Sequence, residues 1–330
     1  MNILITGGGG YIGYHLVKLL LLSTKHKVTV LDSFIYEKHS LDDFKRNKRL
    51  TIIKGDICNI IDMVKALRGI DTVIALAAIV GDPACALNED QTLSTNFHST
   101  NLLVRLCNQY KIRRIIFASS CSVYGADSNL LNEGSRLNPL SLYAKTRVMS
   151  EELIRKNLSP DLDYVILRLA TVFGWSKRVR FDLVVNFLTT QAFYTKQIDI
   201  INGDQWRPII HVGDVARAIK LIISDKSGHT SKEILNIGGN ALNIQIKDIV
   251  KHMEKYIKGI TIHFKDVGSD IRNYRVSFDK VKNSLGFIPK YNLDYGIKEI
   301  IKELKRKNIN YLEDKYYNVK YLYKHQKNDN

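Results

Sequence analysis

The sequence predicts an α/β fold, in which helices cover both faces of a mostly parallel sheet. Two observations support this prediction. Short apolar runs alternate with segments of helical periodicity through the first half, and a glycine-rich turn directly follows the first run. Alternation of this kind favours parallel strands, since each crossover helix returns the chain to the same edge. Such sheets bind ligands at the carboxyl ends of their strands.

The first half of the chain contains the strongest pattern. Its predicted strands are 2–6, 27–32, 51–54, 72–76, 114–118 and 164–168. Its predicted helices are 12–23, 60–68, 91–110 and 142–157. The strands are short apolar runs, and the helices repeat apolar residues three and four positions apart.

After about residue 170 the pattern loosens. Helices are predicted at 182–195, 211–224, 245–257, 279–284 and 294–307, with strands at 197–201, 234–237 and 261–264. No internal repeat and no Pro- or Ser-rich linker separates the halves. We therefore expect one domain over 1–170 and a smaller α/β lobe over 171–330, part of which returns to the first domain.

Composition and charge narrow the class of protein. The 330 residues are 45% hydrophobic and 25% charged, as in globular proteins, and contain no apolar run of membrane-spanning length. The formal net charge of +16 is compatible with nucleic-acid binding, but no nucleic-acid motif accompanies it. An AT-rich codon bias that favours Lys, Asn and Ile, together with a basic tail, explains the charge as well. The four cysteines show no metal-like pairing, which favours a reducing cytoplasm and no metal site.

The glycine turn is the most informative motif. Gly7, Gly10 and Gly13 follow the first strand and open a helix, whose N-terminus attracts phosphate. Asp32 ends the second strand, where its carboxylate can accept from an adenosine ribose diol and would repel a 2′-phosphate. The pattern predicts a Rossmann domain, a doubly wound parallel sheet, that binds NAD over NADP. The alternative is a glycine-rich turn of another α/β protein, with Asp32 merely ending a strand.

Further motifs lie where other strands end. They are FASSCSVYG at 117–125, LYAKTR at 142–147, LRLATVFG at 167–174, GDI at 55–57, LAA at 76–78, GDQWRPIIHVGDVARAI at 203–219 and DIRNYRVSFDKVKNSLGFIP at 270–289. Together with TGGGGYIG, they make the chain resemble the extended short-chain dehydrogenase/reductase family over nearly its whole length. The similarity is to the nucleotide-sugar epimerases and dehydratases of that family, which act in polysaccharide biosynthesis.

The resemblance implies a catalytic centre at Tyr143, Ser120 and Arg147. Tyr143 would be the acid/base, and Ser120 would hydrogen-bond the reacting oxygen. A free tyrosine is too weak a base at neutral pH, so nearby positive charge must favour its phenolate. The family has lysine where this chain has Arg147. Lys145 cannot easily replace it, because i and i+2 point to different faces of a helix.

The resemblance also implies the binding residues. Those expected at the cofactor are Gly7, Gly10, Tyr11, Ile12, Gly13, Asp32, Ser33, Asp56, Ile57, Leu76, Ala77, Ala78, Tyr143 and Arg147. Those expected at the substrate are Ser120, Asp82, Thr171, Arg207 and Arg272. Structural roles are expected for Asn96 and His211.

Two departures from the family pattern bear on the reaction. Dehydratases of this group usually carry an acidic pair where this chain has Cys121 and Ser122, so 4,6-dehydration is disfavoured. Thr171 stands where an asparagine is expected. The resemblance thus implies NAD-dependent oxidation at C4 of a nucleotide-diphosphate sugar, most simply by a 4-epimerase. A 4-dehydrogenase that releases the keto-sugar, and a non-catalytic NAD or nucleotide-sugar binder, stay open.

Family members commonly dimerise through two helices, here 91–110 and 142–157.

Overall fold

The computed structural model describes residues 1–265 and 273–326. The elements of the first half are β1 (Asn2–Thr6), α1 (Tyr11–Ser23), β2 (Lys27–Asp32), β3 (Leu50–Lys54), α2 (Ile60–Leu67), β4 (Thr72–Ala75), α3 (Asp82–Cys85), α4 (Glu89–Leu93), α5 (Ser99–Tyr110), β5 (Arg114–Ser120), β6 (Leu130–Leu131), α6 (Leu142–Asn157) and β7 (Asp163–Leu169). Those of the second half are β8 (Thr171–Phe173), α7 (Val184–Thr195), β9 (Gln197–Ile201), β10 (Trp206–His211), α8 (Val212–Ser224), β11 (Glu233–Ile237), β12 (Asn243–Gln245), α9 (Ile246–Glu254), β13 (Thr261–Lys265), β14 (Arg275–Val276), α10 (Asp279–Leu285), α11 (Leu293–Lys307) and α12 (Asn318–Gln326).

The main sheet confirms the predicted fold class. Its strand order is β11-β7-β5-β4-β1-β2-β3, and every neighbouring pair is parallel. The strands are apolar because helices cover both faces; Ile3, Leu4 and Ile5 of β1 are fully buried. All carboxyl ends therefore meet at one edge, where the glycine turn follows β1.

The second half is built from small sheets. Strands β8, β10 and β12 form one sheet, and β9 pairs with β13. Their core contains Phe173, Val185 and Ile209, separate from the two clusters that flank the main sheet. Strand β11 instead joins the edge of the main sheet beside β7. The domain boundary near residue 170 stays a prediction.

The second half is also where sequence patterns missed elements. Strands Thr171–Phe173 and Trp206–His211 and helix Asn318–Gln326 were not predicted. Trp206–His211 pairs through one half with Thr171–Phe173 and through the other with Asn243–Gln245, so these strands are defined by tertiary pairing. The helix predicted over 91–110 is interrupted by a π-helical stretch at Ser94–His98. That stretch holds Asn96, whose side chain exchanges two hydrogen bonds of 2.9 Å with the backbone of Ile79.

Candidate active site

A cavity of about 290 Å³ lies at the carboxyl edge of the main sheet, between it and the second half. It is lined by residues that are far apart in the sequence but share this edge. The predicted site residues that line it are Gly7, Gly10, Tyr11, Ile12, Gly13, Leu76, Asp82, Ser120, Tyr143, Arg147, Thr171 and Arg207. The structure thus brings the glycine turn and the proposed catalytic side chains together around one space.

The glycine turn leaves no room for side chains. Gly7 has φ +74°, and a Cβ there would lie 2.7 Å from the Ala77 nitrogen. A Cβ on Gly13 would lie 2.2 Å from the Gly7 oxygen. Helix α1 begins after Gly10, and no side chain caps it within the described part of the chain. Its first N–H groups are therefore directed to the cavity, where they can donate to an anion.

Asp32 ends β2 beside this turn without lining the cavity wall. One of its carboxylate oxygens accepts from the Gly9 N–H at 2.8 Å, and the other accepts from the Phe34 N–H at 2.7 Å. Burial raises the pKa of Asp32, and these two hydrogen bonds oppose that rise. Each oxygen retains a lone pair, so the carboxylate both fixes the turn and can accept from a ligand hydroxyl.

Five other predicted cofactor residues stand outside the cavity lining: Ser33, Asp56, Ile57, Ala77 and Ala78. Ser33 and Asp56 are exposed, and Asp56 accepts from the Cys58 N–H at 2.8 Å. Ile57 packs against the core on one side of the sheet. Arg272, predicted to meet the diphosphate, lies outside the described residues.

Helix α6 carries both Tyr143 and Arg147 into the cavity, one turn apart. Ser141 caps the helix by accepting from the Ala144 N–H, and its hydroxyl donates to Asp82 at 2.7 Å. The Arg147 guanidinium lies 5.3 Å from the Tyr143 ring centre. Lys145 points away and is exposed, as its spacing predicts.

Arg147 is only 3% exposed, yet it is poorly satisfied. Its Nη1 donates to the Ala118 carbonyl at 3.2 Å. Its Nε and Nη2 have no hydrogen-bond partner among the described residues. Buried donors normally have partners, so an unpaired guanidinium that lines a cavity is a group prepared for a ligand.

The acidity of Tyr143 reflects two opposing effects. Burial raises the pKa of its phenol, and the charges of Arg147 and Arg180 lower it. The net direction is upward, so the charges of Arg147 and Arg180 do not offset the effect of burial. Additional positive charge in the cavity would favour the phenolate.

The carboxyl end of β5 and the turn after it place Ser120 and Ser122 at the cavity, whereas Cys121 does not line it. The Ser120 oxygen accepts from the Ser122 N–H at 3.1 Å and from the Ser122 hydroxyl at 2.9 Å. Cys121 is fully buried, donates to the Arg168 carbonyl, and has a pKa raised by burial. It therefore cannot protonate a ligand in this cavity.

The second half supplies the opposite wall. Thr171 begins β8, which pairs with β10, where Arg207 lies. Arg207 is 7% exposed; it donates to the Gln205 side chain at 2.8 Å and to the Trp206 carbonyl at 3.0 Å. Its guanidinium also lies 5.9 Å from the Tyr274 ring centre. This wall places a cation opposite the glycine turn.

His211 has the structural role that was predicted. It is 2% exposed and does not line the cavity. Its Nδ1 accepts from the Gly213 N–H at 3.1 Å, so its Nε2 carries the proton and donates to Glu299 at 2.9 Å. The ring joins the start of α8 to α11.

Sequence reasoning missed several lining residues, among them Tyr36, Arg178, Arg180, Tyr274 and Asn318. The two arginines had a signal, since KRVR at 177–180 closely follows the motif that ends β7. Tyr36 is four positions past Asp32, in a loop with no distinguishing pattern. Asn318 had none, because it reaches the cavity only through the path of the chain's last helix.

The chain is similar to known proteins over most of its length. The model of the NAD dependent epimerase/dehydratase family matches residues 3–238. The uncharacterised UDP-glucose epimerase YtcB of Bacillus subtilis is 31% identical, over 90% of this chain and 96% of its own. The UDP-glucuronate 4-epimerase of Thermodesulfobacterium geofontis is 26% identical, over 90% and 94% of the two chains.

A solved structure is similar to this chain in both fold and sequence. The UDP-glucuronic acid 4-epimerase of Bacillus cereus, in complex with UDP-glucuronic acid and NAD, is 29% identical with a TM-score of 0.84. The match covers 93% of this chain and 99% of that one. Within residues 1–265 and 273–326, none of the helices has the length and apolar character needed to cross a bilayer.

Proposed function

The chain belongs to the NAD dependent epimerase/dehydratase family, and from this we propose that it is a nucleotide-sugar 4-epimerase with NAD as its cofactor. It would oxidise C4 of the sugar and then reduce it from the opposite face. The observation that carries this proposal is the shared cavity, which Tyr143, Ser120 and the glycine turn all line. A group that can take a proton and a turn suited to a dinucleotide therefore face the same space.

The residues present fit NAD. The glycines that follow β1 exclude side chains, which leaves backbone N–H groups accessible to a diphosphate. The two unpaired donors of Arg147 would gain acceptors from ribose hydroxyls. Asp32 has lone pairs for a ribose diol, and its carboxylate would repel a 2′-phosphate. The chemistry that NAD would supply when bound is hydride transfer at the sugar carbon, in both directions.

The side chains of this protein would handle the proton. Tyr143 would take it from the C4 hydroxyl and give it back, and Ser120 would hold the same oxygen by a hydrogen bond. The charge of Arg147, 5.3 Å from the Tyr143 ring centre, lowers the pKa of the phenol and would therefore favour its phenolate. Asp82, Thr171 and Arg207 would hold the sugar and its diphosphate, with Arg207 matched to phosphate oxygens.

The structure argues against 4,6-dehydration. That reaction needs an acid and a base beyond the C4 centre, and the family's dehydratases place acidic residues at the positions of Cys121 and Ser122. Cys121 is buried with a raised pKa, and Ser122 donates to Ser120. Neither is equipped to remove water from a sugar.

Two alternatives are separated by product. A 4-dehydrogenase would release the keto-sugar and accumulate NADH, whereas an epimerase produces an isomer without net redox change. A binding protein would take up NAD and yield no product from any sugar. Arg147, which stands where the family has lysine, motivates this last alternative, and the catalytic cavity that surrounds it argues for the enzyme.

The test uses the purified chain with UDP-glucose and UDP-glucuronic acid, because the similar proteins named above are UDP-sugar epimerases. We expect NMR to detect the C4 isomer of one of them, without NADH absorbance. Tyr143→Phe should lower the rate by at least about 10²-fold, since it removes the acid/base. Tyr110→Phe, whose exposed ring does not line the cavity, is the control. Full activity in Tyr143→Phe would refute the assignment.

Helices α5 and α6 pack side by side, as the expected dimer requires. The homodimer itself, and the cytoplasmic location, stay predictions.

A further inference from the structure

The last helix of the chain does not pack on the second half alone. Helix α12 lies against the loops that follow β2 and β4. Its Leu322 is 7% exposed and joins an apolar cluster with Ile79 and Cys85, which Tyr143 borders. The Tyr321 hydroxyl donates to the Ile35 carbonyl, and its ring lies 5.1 Å from that of Tyr36.

The strand order determines where α12 crosses the sheet. Ile35 and Tyr36 follow β2, and Ile79 follows β4, while β1 lies between those two strands in the sheet. A helix that contacts both loops must therefore pass across the carboxyl end of β1. That end is where the glycine turn begins.

Asn318 fixes the start of this helix at the cavity. It is 2% exposed and lines the same space as the glycine turn. Its side-chain oxygen accepts from Arg178, and its amide donates to the Val80 carbonyl at 3.1 Å. Its backbone N–H donates to Asp182 at 3.2 Å. One side chain thus ties together the loop after β4 and the segment after β8.

Arg178 is the cation that Asn318 holds in place. It is 5% exposed, and its guanidinium lies 4.2 Å from the Tyr36 ring centre. Its Nε has no partner within the described ranges. A buried guanidinium with an unpaired N–H at this position can donate a hydrogen bond to an oxygen of a diphosphate.

We propose that α12, fixed by Asn318 and Leu322, is the outer wall of the dinucleotide cleft, so that NAD is retained from one turnover to the next. The proposal rests on NAD binding as argued above and extends it. An epimerase needs no exchange, because each turnover restores the cofactor. A dehydrogenase must release NADH, so a wall that slows exchange favours the 4-epimerase over the 4-dehydrogenase.

The experiment measures how fast NAD leaves the full chain. Protein loaded with radiolabelled NAD is diluted into excess unlabelled NAD, and the retained label is followed over time. Asn318→Ala and Leu322→Ala should release label at least about tenfold faster than wild type, as expected for the loss of one or two buried contacts. Leu312→Ala is the matched control, because Leu312 lies shortly before α12 in the chain but its side chain is 59% exposed.

Each outcome decides the proposal. Release at the wild-type rate from folded Asn318→Ala and Leu322→Ala would overturn it, as would rapid exchange in the wild type itself. If either variant fails to fold, Tyr321→Phe, which removes only one hydroxyl, must still accelerate release. A wild-type chain that binds no NAD at all would instead refute the proposed function, so the two failures are distinguishable.

Discussion

Two buried arginines, Arg147 on helix α6 and Arg168 on the neighbouring strand β7, differ in how their charges are satisfied. Arg168, on β7, is 3% exposed and donates to both oxygens of Glu151, with its Nη2 at 2.7 Å. Its Nη1 donates to the Tyr124 hydroxyl at 3.0 Å. Arg147 is equally buried but makes one hydrogen bond, to the Ala118 carbonyl.

The difference separates structure from function. Burial lowers the pKa of Arg168, but the hydrogen bonds and charge of Glu151 outweigh it and raise that pKa above its ordinary value. That pair is complete without a ligand and holds α6 on the sheet. Arg147 faces the cavity with donors unpaired, which is costly in the free protein and useful only when something binds. We therefore call the Glu151–Arg168 pair the closed side, and the Arg147 guanidinium with its unpaired donors the open side.

The largest effect should come from breaking the closed side. Glu151→Ala leaves the Arg168 guanidinium buried without its counter-ion. We expect the free energy of unfolding to fall by about 3–5 kcal/mol, as measured by urea denaturation. Glu152→Ala is the control, since its side chain is 56% exposed and pairs only with Lys156 on the surface. Similar small losses in both variants would mean that the closed side is not a stabilising unit.

A smaller effect should appear with pH at another buried group. Burial lowers the pKa of His15 to about 4, and its Nε2 donates to the Trp175 carbonyl at 2.8 Å. Between pH 6.5 and 4 the unfolded chain binds a proton that the folded chain does not. Stability is therefore lost as pH falls through this window, by an amount of the order of 3 kcal/mol.

The matching variant for this pH effect is His15→Gln, whose amide can still donate to Trp175 but does not titrate. Unfolding free energies measured across the window should be flatter in the variant than in the wild type. Parallel curves would show that folding does not lower the pKa of His15, and would refute this prediction.

The smallest effect on folding should come from the open side. Arg147→Met removes both the unpaired donors, which are costly, and the hydrogen bond to Ala118, which is stabilising. Because these effects oppose each other, the free energy of unfolding of the free protein should change by less than about 1 kcal/mol. Calorimetry should nevertheless show NAD binding at least about tenfold weaker, from the loss of charged hydrogen bonds. Strong destabilisation with unchanged NAD affinity would reverse the comparison and assign Arg147 to the scaffold.

Much of the first domain could be predicted because its signals are local. Apolar runs gave the strands of the main sheet within a residue or two, and the turn at Gly7, Gly10 and Gly13 gave its ligand edge. The same locality placed Tyr143 and Arg147 on one helix face. Patterns failed at Thr171–Phe173, a strand of three residues, and at Trp206–His211, whose sequence WRPIIH has no alternating pattern.

The sequence by itself determined the class of sheet, the edge at which ligands bind and the residue types available there, since these follow from periodicity and spacing along the chain. Only the tertiary structure decided which buried charges are satisfied and which are left for a ligand. It also decided that Asn318, near the end of the chain, lines the same cavity as Gly7. Pairing and burial depend on contacts between distant segments, and no local pattern encodes those.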